Sequence, residues 1–89
     1  MENFTLVQKE KIPNLSFHNE IDLEQDDDIK QRLERATLLG NLYHSKVTIF
    51  FYDDEGPKKV ETTIWATGTK FICLKGGVWI PISRITDVQ

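Results

Sequence analysis

Three acidic side chains in a row, Asp53, Asp54 and Glu55, are the first residues whose types suggest chemistry. Paired carboxylates perform general acid–base work when they face each other in a dry pocket that drives their proton affinities apart. Here they stand in "DDEGP", with the acids, Gly and Pro of a turn, where successive side chains point apart and into water. The expectation is a solvated turn. His18 and His44 are 26 positions apart with no Cys or carboxylate at metal-ligand spacing, and His44 falls at the junction into a strand, a surface or turn position. Cys73 is the only cysteine, which excludes an internal disulfide and a Cys-based metal cluster; inside "FICLK" it suits a buried strand position. No serine has a nucleophile-elbow context, and Gly76-Gly77 lacks the flanking pattern of a phosphate loop. No catalytic residue, cofactor or metal site is expected, and the chain reads as a non-enzyme.

The stronger signal is aromatic. Alternation along "KVTIFFY" places Val47, Ile49 and Phe51 on one face and Phe50 and Tyr52 on the other. By the same parity Trp65 and Trp79 face outward on later strands. A small barrel buries one face, so these four rings on the opposite face need a cover. The candidates are the helix, the N-terminal arm, another subunit, or a ligand such as stacked bases. Aromatic anchors rimmed by polar groups are typical of protein interfaces. Lys46, Lys58, Lys59, Lys70, Lys75 and Arg84 flank the same platform and offer an alternative, single-stranded nucleic acid. The candidate binding residues are therefore Phe50, Tyr52, Trp65, Trp79, Lys58, Lys70, Lys75 and Arg84. A protein partner or a homo-oligomer is the first expectation, and nucleic acid the weaker one.

One helix and five strands must position these groups. "DDDIKQRLERATLLG" predicts a helix over 27–39: the aspartates suit its N-terminal end, and Ile29, Leu33 and Ala36 form a stripe that Leu38 or Leu39 extends. Gly40-Asn41 supplies a left-handed stop. From residue 42 the apolar period changes to two. Strands are expected at 46–52, 58–67, 70–75, 78–82 and 83–88, with Pro81 marking an edge, a bulge or a strand end. Val60, Thr62, Ile64 and Ala66 share one face of the second strand, and Ile72, Leu74, Val78 and Ile80 continue a core face across the next two. Residues 1–26 form an irregular acidic arm, either mobile or docked on the body or on a partner, and 27–89 form the domain. Seven large apolar residues in that arm, from Phe4 to Leu23, are many for a plain solvated linker.

Short, sharply twisted strands of this number curl into a small barrel. The helix, the meander and the ending "IPISRITDV" resemble the Sm-like and wider SH3-like small-barrel families over about residues 27–88. The likeness lies in element order and apolar spacing. It implies a mainly β fold, a five-stranded antiparallel SH3-like or Sm-like barrel preceded by one N-terminal α-helix. For Sm-like proteins it also implies a ring that binds single-stranded RNA, through turns that map here to "ATGTK" (66–70) and "PISR" (81–84). Pro81, Ile82 and Ser83 stand where the bacterial branch has a Tyr-Lys-His type signature, and "VETTIWA" lacks the glycine that bends the second strand. Fold analogy survives these departures better than RNA binding does. The pattern "VETTIWA…LKGG…IPI" is also similar to small uncharacterised bacterial proteins, a likeness that brings no function with it.

Composition narrows the partners further. At 89 residues there is room for one compact domain with a thin core. Residues 1–39 carry nine acids and five bases, and residues 40–89 five acids and six bases, giving −4 and +1 and the net charge of −3. The segment 18–28, "HNEIDLEQDDD", holds six acids and no Lys or Arg. A groove that neutralises many phosphates usually makes its domain far more basic than this. No apolar run approaches the ~20 residues of a membrane span, and no leader-like run opens the chain, so a cytoplasmic protein is expected. The sequons at Asn3 and Asn14 then carry no meaning.

Overall fold

The structure, a computed structural model, describes residues 3–89. In chain order it contains β1 (Thr5–Leu6), a 3-10 turn (Lys9–Asn14), α1 (Ile29–Tyr43), β2 (Val47–Tyr52), β3 (Pro57–Thr62), β4 (Ile64–Thr67), β5 (Phe71–Leu74), β6 (Val78–Pro81), a second 3-10 turn (Ile82–Arg84) and β7 (Ile85–Val88). One sheet runs β1-β3-β2-β7 and the other β4-β5-β6. The fold is mainly β with one α-helix. The expected five-stranded meander is divided between two sheets, and the ladders do not close into a single barrel.

The division falls at Thr63. Residues 58–67 read as one strand, but β3 pairs with β2, from Val47 opposite Thr62 to Tyr52 opposite Pro57, whereas β4 pairs with β5. The Thr63 carbonyl accepts the Lys75 N–H at 3.0 Å, so the chain changes partners within one residue. Period-two alternation is identical on both sides of such a switch, which is why sequence pattern does not reveal it.

A second irregularity follows immediately. Ile64 faces Leu74 and Ala66 faces Cys73, which leaves Trp65 as the extra residue of a β-bulge. The bulge resets the parity. Ala66, expected in the core, is exposed, and Cys73 opposite it is half-buried rather than buried. Thr63, which alternation puts on the outer face, is also buried, against Gly40. The core positions Ile49, Phe51, Val60, Ile64, Ile72, Leu74 and Ile80 are buried as expected, with Val47 and Val78 packed against them. Gly76 and Gly77 turn the chain between β5 and β6 at φ of 90° and 81°, a region that side chains with a Cβ avoid.

The helix is longer than its apparent stop. Ile29, Leu33 and Ala36 face the core, and Gly40 continues their stripe in place of Leu38 or Leu39, both exposed. A Cβ on Gly40 would meet the Ile64 carbonyl oxygen at 2.8 Å and Thr63 Cγ2 at 2.9 Å. The glycine therefore lets α1 lie close on the Thr63 switch, and does not end the helix. The end comes at His44, in the left-handed conformation (φ 55°), whose N–H bonds the Gly40 carbonyl at 2.9 Å. At the other end Asp28 is the N-cap, but no side-chain cap bond forms; the aspartates there act through charge alone.

The N-terminal segment lies against this body. β1 adds to β3 in parallel, and the Val7 N–H extends the pairing to the Lys59 carbonyl at 2.8 Å. Ile12 is buried in the common core, a burial that favours docking by about 1.5–3 kcal/mol. Leu15 and Phe17 pack against the same cluster, with the Phe17 ring 6.1 Å from that of Phe51. Farther on, Gln25 Nε2 donates to the Ile82 and Ile85 carbonyls at 2.7 and 2.6 Å.

Candidate binding surface

The four candidate rings separate into two groups. Phe50 and Tyr52 are covered by Phe4 of the N-terminal segment, edge to face, at centroid distances of 5.2 and 5.7 Å. Such pairs contribute about 0.5–1.5 kcal/mol beyond their buried area. Trp65 and Trp79 remain 47% and 57% exposed. Phe71, which the strand parity of "KFICLK" would have placed beside them, is 45% exposed and lies edge to face with Trp79 at 6.5 Å. The outer face of β4-β5-β6 is thus apolar: Cys73 stands opposite Trp79, Phe71 opposite Pro81, and Ala66 opposite Cys73.

The candidate cations also separate. Lys58 and Arg84 are engaged by the acidic turn, which is not solvated as its composition suggests. Asp53 is only 1% exposed; its Oδ1 accepts the N–H groups of Glu55 and Gly56 at 3.0 Å each and the Lys58 ammonium at 3.1 Å. Its Oδ2 is buried without a hydrogen-bond partner. Asp54 reaches the other way. It accepts Ser16 Oγ at 2.7 Å, the His18 N–H at 2.9 Å and Arg84 Nη2 at 2.8 Å, with the Asn19 N–H shared between its oxygens. Burial pushes the Asp54 carboxyl up, but the bonds from Ser16, Arg84, His18 and Asn19 together outweigh it and hold the group well below the usual carboxylate range. Arg84 is itself buried: it also donates to the Asn19 and Tyr52 carbonyls and lies 5.7 Å over the Phe17 ring. A guanidinium so surrounded holds the N-terminal segment in place and has little left for a ligand.

A third ion pair closes the helix onto the last strand. Arg32 bonds the Asp87 carboxylate and the Val88 carbonyl, the latter at 2.7 Å. Burial raises Asp87, but Gln89, Arg32 and the Val88 N–H bring it down below its ordinary value. The bond to Asp87 raises Arg32 in turn.

Lys70 and Lys75 remain exposed. Lys75 joins Lys9 and Lys46 around an open groove of about 870 Å³, walled by Trp65 and reaching from Leu6 in β1 to His44 at the end of α1. Glu10 and Glu61 also line it. Phe4, Leu6 and Lys9 gain their places only when the N-terminal segment docks, so no pattern in the strands pointed to them. A second, more polar groove of about 670 Å³ lies between the N-terminal segment and the β6–β7 junction, bordered by Glu20, Asp22 and Pro81. Among the described residues no group of His, Cys, Asp and Glu is placed to hold a metal ion. No helix among them is long and apolar enough to cross a membrane. Comparison with protein-family models, curated proteins and solved structures gives no match to this chain.

Proposed function

We propose that this protein is a non-enzymatic binding module of the cytoplasm that works through protein contacts or self-association on the outer face of β4-β5-β6. The observation that carries this reading is the division of the aromatic residues. The chain's own Phe4 covers Phe50 and Tyr52, whereas Phe71 and Trp79 form an exposed pair with Ala66, Cys73 and Pro81 around them. Exposed aromatic anchors are the usual centre of an interface. The single, unpaired Cys73 suits a reducing compartment.

The same reading treats the two sheets as halves of an SH3-like or Sm-like small barrel. Its support is the one-residue switch at Thr63, the return of β7 to β2, and the 3-10 turn between β6 and β7. Single-stranded nucleic acid is the second reading, favoured by Trp65 standing beside Lys9, Lys46 and Lys75. It ranks lower because Lys58 and Arg84 are committed to Asp53 and Asp54.

Sedimentation of the full chain at about 500 mM salt, where exposed charges are screened, isolates the apolar contact. Self-association that persists there and disappears in Phe71→Ser/Trp79→Ser supports the reading. A wild-type chain that is monomeric throughout removes self-association through this face. Retardation of single-stranded oligonucleotides that falls steeply with salt and is lost in Trp65→Ala favours the second reading.

A further inference from the structure

Two groups of charges without an ion-pair partner among the described residues are of opposite sign. Glu20, Asp22 and Glu24 point outward while Ile21, Leu23 and Gln25 between them are half-buried, the period-two burial of an extended chain. This gives a row of carboxylates about 7 Å apart on one side of the segment. None of the three has an ion-pair partner among the described residues. Lys46 and Lys75, on the groove beside Trp65, have none either, and Lys9 has only Glu10 next to it, at 3.9 Å. The groove carries three lysines against Glu10 and Glu61, and the 18–28 segment six acids against no Lys or Arg.

The carboxylate row does not reach this groove in its own chain. Gln25 ties its C-terminal end to the Ile82 and Ile85 carbonyls, and Asn19 ties its N-terminal end to Asp54 and Arg84. It leads into α1 at Asp28, whereas the groove lies at the far end of that helix, beside His44. At 1.5 Å per residue those two ends are about 24 Å apart.

We infer that the groove beside Trp65 receives the Glu20–Asp22–Glu24 row of a second copy of this chain, head to tail. The two surfaces are different patches of one molecule, so the contact is heterologous and repeats from copy to copy, closing into a ring or growing into a filament. Lys46 and Lys75 meet the carboxylates, and the Trp65 ring shields one side of the pairs from water, where charge attraction is stronger. Neither surface has to rearrange, since the row is already presented by its buried alternate residues. The contact deepens the self-association reading, yet it uses residues other than Phe71 and Trp79 and fails or stands separately from it.

Sedimentation velocity of the full chain at about 50 and 500 mM salt tests this contact. The expected result is association at low salt that weakens at least about tenfold at high salt. Lys46→Glu/Lys75→Glu and Glu20→Lys/Asp22→Lys/Glu24→Lys alter exposed residues only, and circular dichroism checks that each still folds. Each variant alone is expected to lose the salt-dependent association, whatever association the Phe71–Trp79 face gives at about 500 mM salt. Mixing them is expected to restore association, because the intact groove of one meets the intact row of the other. A wild-type chain that is monomeric at low salt overturns the inference. So does association that both reversals leave unchanged; if Phe71→Ser/Trp79→Ser then abolishes it, the aromatic face alone is responsible. Charge reversal that abolishes oligonucleotide retardation without altering the oligomeric state gives the groove to nucleic acid and overturns it as well.

Discussion

Arg84 donates to Asp54 across 2.8 Å, and in the same place its second bond reaches the Asn19 carbonyl. One guanidinium thus joins the 3-10 turn before β7, the β2–β3 turn and the N-terminal segment. A bidentate-capable, permanently charged group surrounded by acceptors suits this better than a lysine. The consequence is that the segment before α1 belongs to the fold's polar framework as well as to its core. Removing Asp54 (Asp54→Ala) should release residues 16–19, measured as a loss of amide exchange protection at His18 and Asn19 while β5 and β6 amides stay protected.

Acid should act on this junction and on the Arg32–Asp87 pair. Asp54 and Asp87 both lie below the ordinary carboxylate range in the folded chain. Their contribution is therefore complete above the unfolded value of about 3.9 and is lost as pH falls through the lower folded values. Urea midpoints should be level from pH 7 to about 5 and decline below that. In Asp54→Asn the decline should be shallower. A wild-type midpoint that stays level down to pH 3 contradicts this assignment.

Asp53 holds the turn that places Asp54. Asp53→Ala deletes the acceptor of two backbone N–H groups and leaves the Lys58 ammonium, which is largely buried, without its counter-charge. Breaking such a pair from one side is costly, so a loss of about 2–4 kcal/mol is expected in chemical denaturation. Asp53→Ala/Lys58→Met should recover part of that loss, because no buried charge is then left alone.

Gly40→Ala tests the close approach of α1 to the Thr63 switch. In an open helix this change stabilises by up to about 1 kcal/mol. Here the new Cβ meets the Ile64 carbonyl oxygen and Thr63 Cγ2 below 3 Å, so a destabilisation of about 1–3 kcal/mol is expected from thermal unfolding. A rise in Tm would show that helix and strand separate more easily than this geometry requires.

Phe71→Ser and Trp79→Ser, taken singly, should shift stability by less than about 1 kcal/mol, since both rings are about half exposed. Ile72→Ala, one residue from Phe71 but buried, should cost about 2–5 kcal/mol. This contrast, read from urea unfolding, separates the interaction face from the core.

Much of this architecture was legible in the sequence because local periodicity is set by backbone geometry. Ile29, Leu33 and Ala36 fall on one side of any helix through them, and Ile72, Leu74 and Ile80 on one side of any ladder containing their strands. Turn positions such as Gly76-Gly77 follow from conformations that other residues resist. The outward placement of Trp65 and Trp79 was legible on the same grounds, whereas the bulge at Trp65 that exposes Ala66 was not.

What tertiary structure alone decided concerns partners far apart in the chain. The change of sheet at Thr63 depends on Lys75, and the close packing at Gly40 depends on Ile64. Asp53 and Asp54 look like solvated turn residues until Lys58, Arg84 and Ser16 arrive to pair with them. The same docking covers Phe50 and Tyr52 with Phe4 and leaves Trp79 bare. Periodicity determines which face a side chain takes, but not what meets that face, because the contact depends on chain segments brought together only by folding.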